Sequence, residues 1–177
     1  LLGFGLLHAY LVWTGDILAG YAVCGLLVYL FRRKEPRSLA VWGIALVAVA
    51  SVLGLLFGWS MPYWPAESVA ELEGSLSPSS GEVAEILAAY RGSYLSEIAY
   101  RAPNALQSQT FVFLIWTFWR AGGLMLVGMA LFKQGVFSAA RASRFYRGLV
   151  AAAVFAGIPA VIYGTWRNFE ADWDLRY

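Results

Sequence analysis

Three ionisable residues lie within or at the edge of long apolar runs: His8, Asp16 and Arg120. Ionisable side chains in such surroundings are costly, so they are functional candidates by default. A histidine supplies a base or an orienting group, and an arginine binds a carboxylate or a phosphate through paired hydrogen bonds. An aspartate balances either charge. A cavity that holds all three would therefore combine a base with an anion-binding group.

The spacing places His8 and Arg120 at similar depth in a membrane. If the segment is helical, His8 lies about 12 Å below Asp16, which is taken as the outer edge. Arg120 lies about 18 Å from Phe132, which is taken as the cytoplasmic boundary. Both side chains are therefore expected in the middle-to-outer part of the bilayer.

Each candidate also has a purely structural interpretation. His8 would hydrogen-bond a neighbouring carbonyl, and Asp16 would cap the helix that follows it. Arg120 would extend outward past Trp116 and Trp119, or would pair with a polar group inside the bundle. The residues alone leave these alternatives open.

Composition places these groups in a membrane rather than in a soluble domain. The 177 residues are 60% hydrophobic and 14% charged, whereas about a quarter of the residues of a soluble domain are charged. The single cysteine, Cys24, excludes a disulfide scaffold. A net charge of +2 gives no indication of nucleic acid. One His and one Cys build no zinc site unaided, so no metal site is predicted.

The apolar runs predict an all-α, multipass bundle of transmembrane helices. A bilayer core needs about 20 helical residues, and the Gly-Asp pair at Gly15 and Asp16 is a breaker. Residues 1–13 are therefore predicted to end one helix, and one long tilted helix over residues 1–31 is the alternative. The predicted full or near-full spans are 17–31, 38–59, 110–132 and 148–164.

Charges in the connecting segments predict the topology. Residues 32–37 carry a net charge of +3 and residues 133–147 a net +4, whereas residues 60–109 carry a net −4. By the positive-inside rule, both basic loops are predicted to be cytoplasmic. The loop 60–109 and the tail 165–177 are predicted to be extracytoplasmic. The bilayer is thus the first expected partner.

An amphipathic helix is predicted over residues 82–102 of the outer loop. Ser79 followed by Glu82 is a capping-box pattern, and apolar residues then recur at three- and four-residue spacing. Pro103 is expected to end this helix. The helix either merely covers the loops or acts as a substrate lid at the outer surface.

Two pairs of small residues predict close contacts between membrane helices. Gly54 and Gly58 form one pair, and Ala153 and Gly157 repeat the spacing. Small residues let helices approach closely where lipid offers no hydrophobic driving force. They support a packed bundle and indicate no chemistry.

Residues 6–33, LLHAYLVWTGDILAGYAVCGLLVYLFRR, resemble a segment common to the YeiB-like bacterial inner-membrane proteins. In that family an LLH stretch precedes W-x-G-D-I-L and a helix that ends in basic residues. Residues 88–102, AAYRGSYLSEIAYRA, and 119–137, WRAGGLMLVGMALFKQGVF, resemble the start of the family's shared domain of unknown function. The resemblance implies a multipass protein of the bacterial inner membrane. Family members are longer, so this chain is expected to be an internal fragment whose partners include the remaining helices.

That family is distantly similar to membrane acyltransferases, including the heparan glucosaminide N-acetyltransferases. The resemblance therefore implies transfer of an acyl group from cytosolic acyl-CoA, with no bound cofactor predicted. The catalytic His of those enzymes does not carry over to His8, because the surrounding motif is absent. The family pattern marks His8, Gly15, Asp16 and the region of Arg120 as typical positions without assigning roles. A transporter and a non-catalytic membrane subunit are the alternatives.

Overall fold

A computed structural model describes residues 1–174 of the chain. That part folds into seven helices and contains no strand, which confirms the all-α prediction. The helices are α1 Leu2–Val12, α2 Leu18–Tyr29, α3 Pro36–Tyr63, α4 Ala66–Leu76, α5 Ser80–Arg91, α6 Tyr94–Lys133 and α7 Ser143–Glu170. By length and composition, α3, α6 and α7 are the three described helices that could cross a membrane.

The sequence predicts four full or near-full spans, and α2 is the predicted span that is too short to cross a membrane. This helix covers 12 residues rather than residues 17–31, and it is about 18 Å long where the bilayer core is about 30 Å thick. After Tyr29 the chain turns tightly, since the amides of Leu30 and Phe31 donate to carbonyls three residues earlier. Three basic residues follow at 32–34. Because these charges favour water, the chain leaves the apolar helix early.

The predicted break after the first helix is confirmed. The chain leaves the helical conformation between Val12 and Leu18, so the single tilted helix does not form. The resulting hairpin is tight, because a Cβ atom on Gly5 would overlap the backbone nitrogen of Ala19. Glycine at position 5 therefore allows α1 to lie directly against α2.

The predicted capping box at the start of α5 is confirmed. The hydroxyl of Ser79 accepts from the Glu82 amide at 3.3 Å, and the Glu82 carboxylate accepts from the Ser79 amide at 2.7 Å. These reciprocal bonds satisfy backbone donors that a helix start leaves free. The local sequence alone therefore sets where α5 begins.

Acidification should fray the first turn of α5. The backbone amide and then the hydroxyl of Ser79 lower the pKa of the Glu82 carboxyl below its ordinary 4.5. A depressed folded pKa gives a stabilisation that is present above the unfolded value and is lost as the pH falls through the folded value. Deuterium uptake at residues 79–86, corrected for intrinsic exchange rates, should therefore rise between about pH 5 and pH 3. Glu82→Gln should remove this pH dependence, and constant protection in the native protein would contradict the assignment.

The predicted helix over 82–102 is divided at Gly92. The backbone at Gly92 is extended, and Ser93 caps a new helix by accepting from the Ser96 amide at 3.2 Å. The segment predicted to be extracytoplasmic therefore contains α4, α5 and the start of α6.

The helix α6 continues through Pro103, where the sequence predicts an end. Proline removes one helix hydrogen bond, but Arg101 and Ala105 on either side are almost fully buried. Packing of the residues on both sides of Pro103 keeps α6 continuous. The approach to the span and the span itself are therefore a single helix, Tyr94–Lys133.

The closest contact between long helices joins α3 to the second half of α6. A Cβ atom on Gly43 would lie 2.8 Å from the carbonyl oxygen of Gly123, and the reverse distance is also 2.8 Å. The sequence predicts close helix contacts at two other small-residue pairs, and only one of those glycines lies near a neighbouring helix. Gly54 approaches the Trp116 ring, whereas Gly58 and Gly157 face open space. A small-residue pair does not specify which helix face meets a neighbour.

Both basic loops lie at one end of the bundle, as the predicted topology requires. The Nζ atom of Lys133 donates to the carbonyls of Arg32 at 2.6 Å and Lys34 at 2.8 Å. The side of the membrane that this end faces stays a prediction. The helix α7 takes in residues 165–170 of the predicted tail and contains no buried residue. Residues 175–177 of that tail lie outside the described residues.

Candidate functional site

The hairpin of α1 and α2 brings His8 beside Asp16. Gly5 packs on Ala19. His8 follows Gly5 by three residues and Asp16 precedes Ala19 by three, so both lie toward the turn of the hairpin. The Nδ1 atom of His8 is 3.8 Å from Oδ2 of Asp16, and the Asp16 side chain has no exposed surface. This distance is too long for a hydrogen bond, and Nδ1 is buried without a hydrogen-bond partner. A shift of about 1 Å would bring the two atoms into hydrogen-bond range.

Asp16 also binds the start of α2. Both of its carboxylate oxygens accept from the Leu18 amide at 3.0 Å, so the predicted capping role and the contact with His8 coexist. The Trp13 ring packs against Gly15, where an added Cβ atom would require the exposed ring to move. Trp13 in turn meets the His8 ring edge-on, with centroids 6.3 Å apart. The backbone and the aromatic neighbours therefore hold this pair in place.

Asp16 and Arg120 line one cavity of about 660 Å³ between α1, α2 and α6, although the Asp16 side chain has no exposed surface there. This volume lies within the usual range of ligand sites, about 300–1,000 Å³. His8 is not among its lining residues and reaches the cavity only through Asp16. Sequence reasoning did not single out five other polar residues of the wall, which are Thr14, Tyr21, Ser108, Gln109 and Thr117. Polar residues within apolar runs were the signal that could have found them.

Arg120 enters the cavity from α6. Its guanidinium carbon lies 5.9 Å from the centroid of the Trp116 ring, one turn nearer the helix N-terminus, so the side chain points outward along its own helix. No ion pair of Arg120 occurs among residues 1–174. A cation without a carboxylate partner in an otherwise apolar helix is a natural site for an anionic ligand.

The structure brings His8 to Asp16 but places Arg120 further toward the basic end of the bundle. A Cβ atom on Gly20 would lie 3.5 Å from the Thr117 side chain, which fixes the register of α2 against α6. Asp16 lies four residues outward from Gly20, and Arg120 lies three residues inward from Thr117. Their Cα atoms are therefore about 10 Å apart along the helix axes.

The α6 side of the cavity wall carries an unusual helical geometry, which also occurs beside it at the end of α1. Residues His8–Val12 and Ser108–Gly122 both form π-helical hydrogen bonds. Such turns are rare and occur frequently at functional sites. Arg120 lies within the second stretch, on the cavity wall, and His8 lies within the first, which does not line the cavity. A third such stretch, Ala153–Gly157, lies on α7 outside the cavity lining.

Arg101 is a buried cation, whereas Arg120 is exposed, and the sequence reasoning did not single Arg101 out. The residue is 1% exposed, is ion-paired with Glu97 and lies 6.0 Å from the centroid of the Tyr90 ring. The spacing of four residues between Glu97 and Arg101 was the available signal. Arg101 does not line the cavity, and its contacts join α5 to α6.

The cavity offers charged and hydrogen-bonding groups rather than a set of metal ligands. Residues 1–174 contain no group of three or more His, Cys, Asp or Glu side chains arranged to hold a metal ion. Cys24 is fully buried in the packing of α2, in keeping with a small apolar role.

Replacing Gly5 with alanine should separate α1 from α2 and break the contact between His8 and Asp16. The added Cβ would overlap the Ala19 backbone, and such overpacking costs about 1–3 kcal/mol. Gly3→Ala is the matched control, because a Cβ on Gly3 meets nothing within 4 Å. Thermal unfolding in detergent should show a lower Tm for Gly5→Ala than for the control. Equal Tm values would show that the hairpin is looser than described.

Comparison with known proteins finds two uncharacterised bacterial relatives. The chain is 29% identical to Uncharacterized protein YeiB of Escherichia coli (strain K12) over an alignment of 188 positions, which covers 100% of the chain and 44% of YeiB. It is 44% identical to Uncharacterized protein YxaH of Bacillus subtilis (strain 168) over 52 residues, which cover 29% of the chain and 13% of YxaH. No family model and no solved structure matches. The chain thus spans less than half the length of these relatives, and it is distantly homologous to YeiB along its own full length.

Proposed function

We propose that this protein transfers an acyl group within the membrane and that the cavity between α1, α2 and α6 is its substrate site. The observation that carries the proposal is that Asp16, in contact with His8, lines the same cavity as Arg120. A carboxylate paired with an imidazole suits proton transfer. A guanidinium suits an anionic part of the substrate.

The reaction assigned to this site is acyl transfer from a thioester to a hydroxyl or an amine. The acceptor atom attacks the thioester carbonyl, so that an ester or amide bond forms and the carbon–sulfur bond breaks. The Asp16 carboxylate, which has no exposed surface in this structure, must turn toward the cavity to accept the acceptor's proton. His8 then stabilises the carboxyl by closing the gap at Nδ1. The proton then leaves with the thiolate, which departs as a thiol. Acyl-CoA as the donor rests on the resemblance of the sequence to membrane acyltransferases.

The setting of this reaction is the bacterial inner membrane, with the basic loops 32–37 and 133–147 in the cytoplasm. Similarity to bacterial proteins and the three helices long enough to span a membrane support this setting. The outer end of the cavity, at Asp16, then faces the extracytoplasmic side. An acceptor would therefore approach from that side.

The test is an assay with the full-length protein. Purified protein, labelled acyl-CoA and an envelope extract should give a labelled ester or amide that needs the protein. A donor that stays intact beside folded protein, with no label transferred, would contradict the proposal. Heat-denatured protein serves as the control for uncatalysed transfer.

Transport is the second candidate, because a cavity with a protonatable pair and a cation also suits a permeation pathway. In that case Arg120→Gln should change solute uptake while acyl transfer stays undetectable. A non-catalytic subunit is the third candidate. For that role, Arg120→Gln should lower the abundance of the assembled complex and leave every substrate assay unchanged.

A further inference from the structure

We infer that the protein binds a single-chain anionic amphiphile of the long-chain alkanoate class. The anion meets Arg120, and the hydrocarbon chain passes Trp116 into a second pocket, between α3 and α6. The inference rests on the proposed function only where the bound chain is taken as the acyl group that is transferred.

The second pocket, called here the α3–α6 pocket, is almost entirely apolar. It has a volume of about 700 Å³, and its lining includes Leu53 and Phe57 of α3 and Ile115 of α6. These three side chains are 37–48% exposed, so the pocket is open at the side of the bundle. The hydroxyl of Ser60, also in the lining, is already engaged, because it donates to the Phe57 carbonyl and accepts from the Trp64 indole. Such a pocket favours a hydrocarbon chain over a polar ligand.

Trp116 joins the α3–α6 pocket to the cavity that contains Arg120. This residue lines both. A Cβ atom on Gly54 would lie 3.1 Å from the Trp116 ring, so one edge of the indole rests on α3. The guanidinium carbon of Arg120 lies 5.9 Å from the centroid of the same ring. Trp116 is 41% exposed and Arg120 is exposed, so both side chains are open to a ligand.

Arg120 supplies the charge that distinguishes this ligand from an ordinary lipid chain. It forms no ion pair with any residue of the described range 1–174. Its guanidinium can donate two parallel hydrogen bonds to a carboxylate. The residues described around the α3–α6 pocket carry no charge. The anion therefore determines which end of the ligand lies at Arg120.

The length of the chain follows from the helix geometry. The α3–α6 pocket extends from Leu53 to Ser60, which is about 10 Å along the axis of α3. The step from the guanidinium of Arg120 to the Trp116 ring adds 5.9 Å. An extended chain advances about 1.2 Å per bond, so a chain of about 14 carbons reaches the far end of the pocket. Further carbons would extend beyond Ser60 and add no contact within the pocket.

The test is photolabelling of the full-length protein in nanodiscs of phosphatidylcholine. The probes are alkanoates of about 8 to 18 carbons with a diazirine at the chain end, together with the alcohols of equal length. The pH is alkaline, so that the carboxyl groups are ionised. Mass spectrometry then locates the labelled residues.

We expect the labelled position to move from Gly54 toward Ser60 as the chain lengthens to about 14 carbons. At that length the alkanoate should label residues 53–60 about tenfold more strongly than the alcohol does, as expected from a charge-assisted hydrogen bond. Arg120→Gln should reduce labelling by the alkanoate to the level of the alcohol. Equal labelling by the acid and the alcohol in the native protein would overturn the inference, because any lipid chain would then occupy the pocket.

Variants of the pocket test where the chain lies. Gly54→Leu should block the pocket beside the Trp116 ring and strongly reduce labelling beyond it. Gly58→Leu is the matched control, since it lies on the same helix, outside both linings, where a Cβ meets nothing within 4 Å.

A second pair of variants serves if Gly54→Leu fails to fold. Ile115→Trp should fill the pocket from the side of α6, and Leu114→Trp is its control at an exposed position outside both linings. Labelling of residues 53–60 that is unchanged by the blocking variants would contradict a chain in the α3–α6 pocket.

The outcomes also separate this inference from the proposed function. Labelling that depends on Arg120 and on chain length, without acyl transfer, would support the ligand class and contradict the enzyme. Acyl transfer that is unaffected when the α3–α6 pocket is blocked, with no selective labelling, would support the enzyme and contradict the ligand class.

Discussion

Replacing Asp16 with asparagine should lower the rate of acyl transfer by about 10²–10⁴-fold, the usual contribution of a general base. The fold should persist, because the asparagine carbonyl can still accept from the Leu18 amide that both carboxylate oxygens now bind. The lost property is the ability to take up a proton beside Nδ1 of His8, 3.8 Å away. Single-turnover kinetics with labelled acyl-CoA measure this effect.

Two controls make the Asp16 result specific. Glu85→Gln removes a carboxylate from α5, at an exposed position outside the cavity, and should leave the rate unchanged. The Tm of Asp16→Asn should stay close to that of the native protein. An active Asp16→Asn variant with an unchanged Tm would exclude Asp16 as the base. A lowered Tm together with lost activity would instead identify Asp16 as a structural cap.

Replacing Gly43 with alanine should loosen the contact between α3 and α6. The new Cβ would lie 2.8 Å from the Gly123 carbonyl oxygen and 2.8 Å from the Val127 amide nitrogen. Both of these are backbone atoms that cannot rotate away, so the helices must move apart. We expect a loss of about 1–3 kcal/mol in the free energy of unfolding, measured by denaturation in mixed micelles.

Gly58→Ala is the matched control for the Gly43 variant. It lies on the same helix, where a new Cβ meets nothing within 4 Å, and alanine favours helix by up to about 1 kcal/mol over glycine. The two variants should therefore shift stability in opposite directions. Equal shifts would mean that the contact at Gly43 contributes little.

Prediction from the sequence is strongest where the cause is local. The capping box at Ser79 depends on two side chains within one turn, and the break before α2 coincides with the Gly-Asp pair, whose Asp16 accepts from the Leu18 amide. Prediction fails where distant packing overrides a local signal. Pro103 normally ends a helix, but the burial of Arg101 and Ala105 holds α6 together across it.

The candidate site shows the same division. The sequence identifies Asp16 and Arg120 because charge in an apolar run is costly wherever it lies. It does not identify Gln109, since one amide among apolar residues carries no cost that can be read without knowing its neighbours. The unpartnered Nε2 atom becomes visible only when α6 is placed against α2.

The sequence by itself determines that this chain is helical, built for a membrane and charged in its loops, because apolar length and charge are properties of the chain alone. The tertiary structure decides which candidates meet. Gly5 against Ala19 sets the register that brings His8 to Asp16, and Gly20 against Thr117 leaves Arg120 about 10 Å further in. The rise per residue gives the depth of a side chain, but only close packing between helices fixes the rotation and register that bring side chains together.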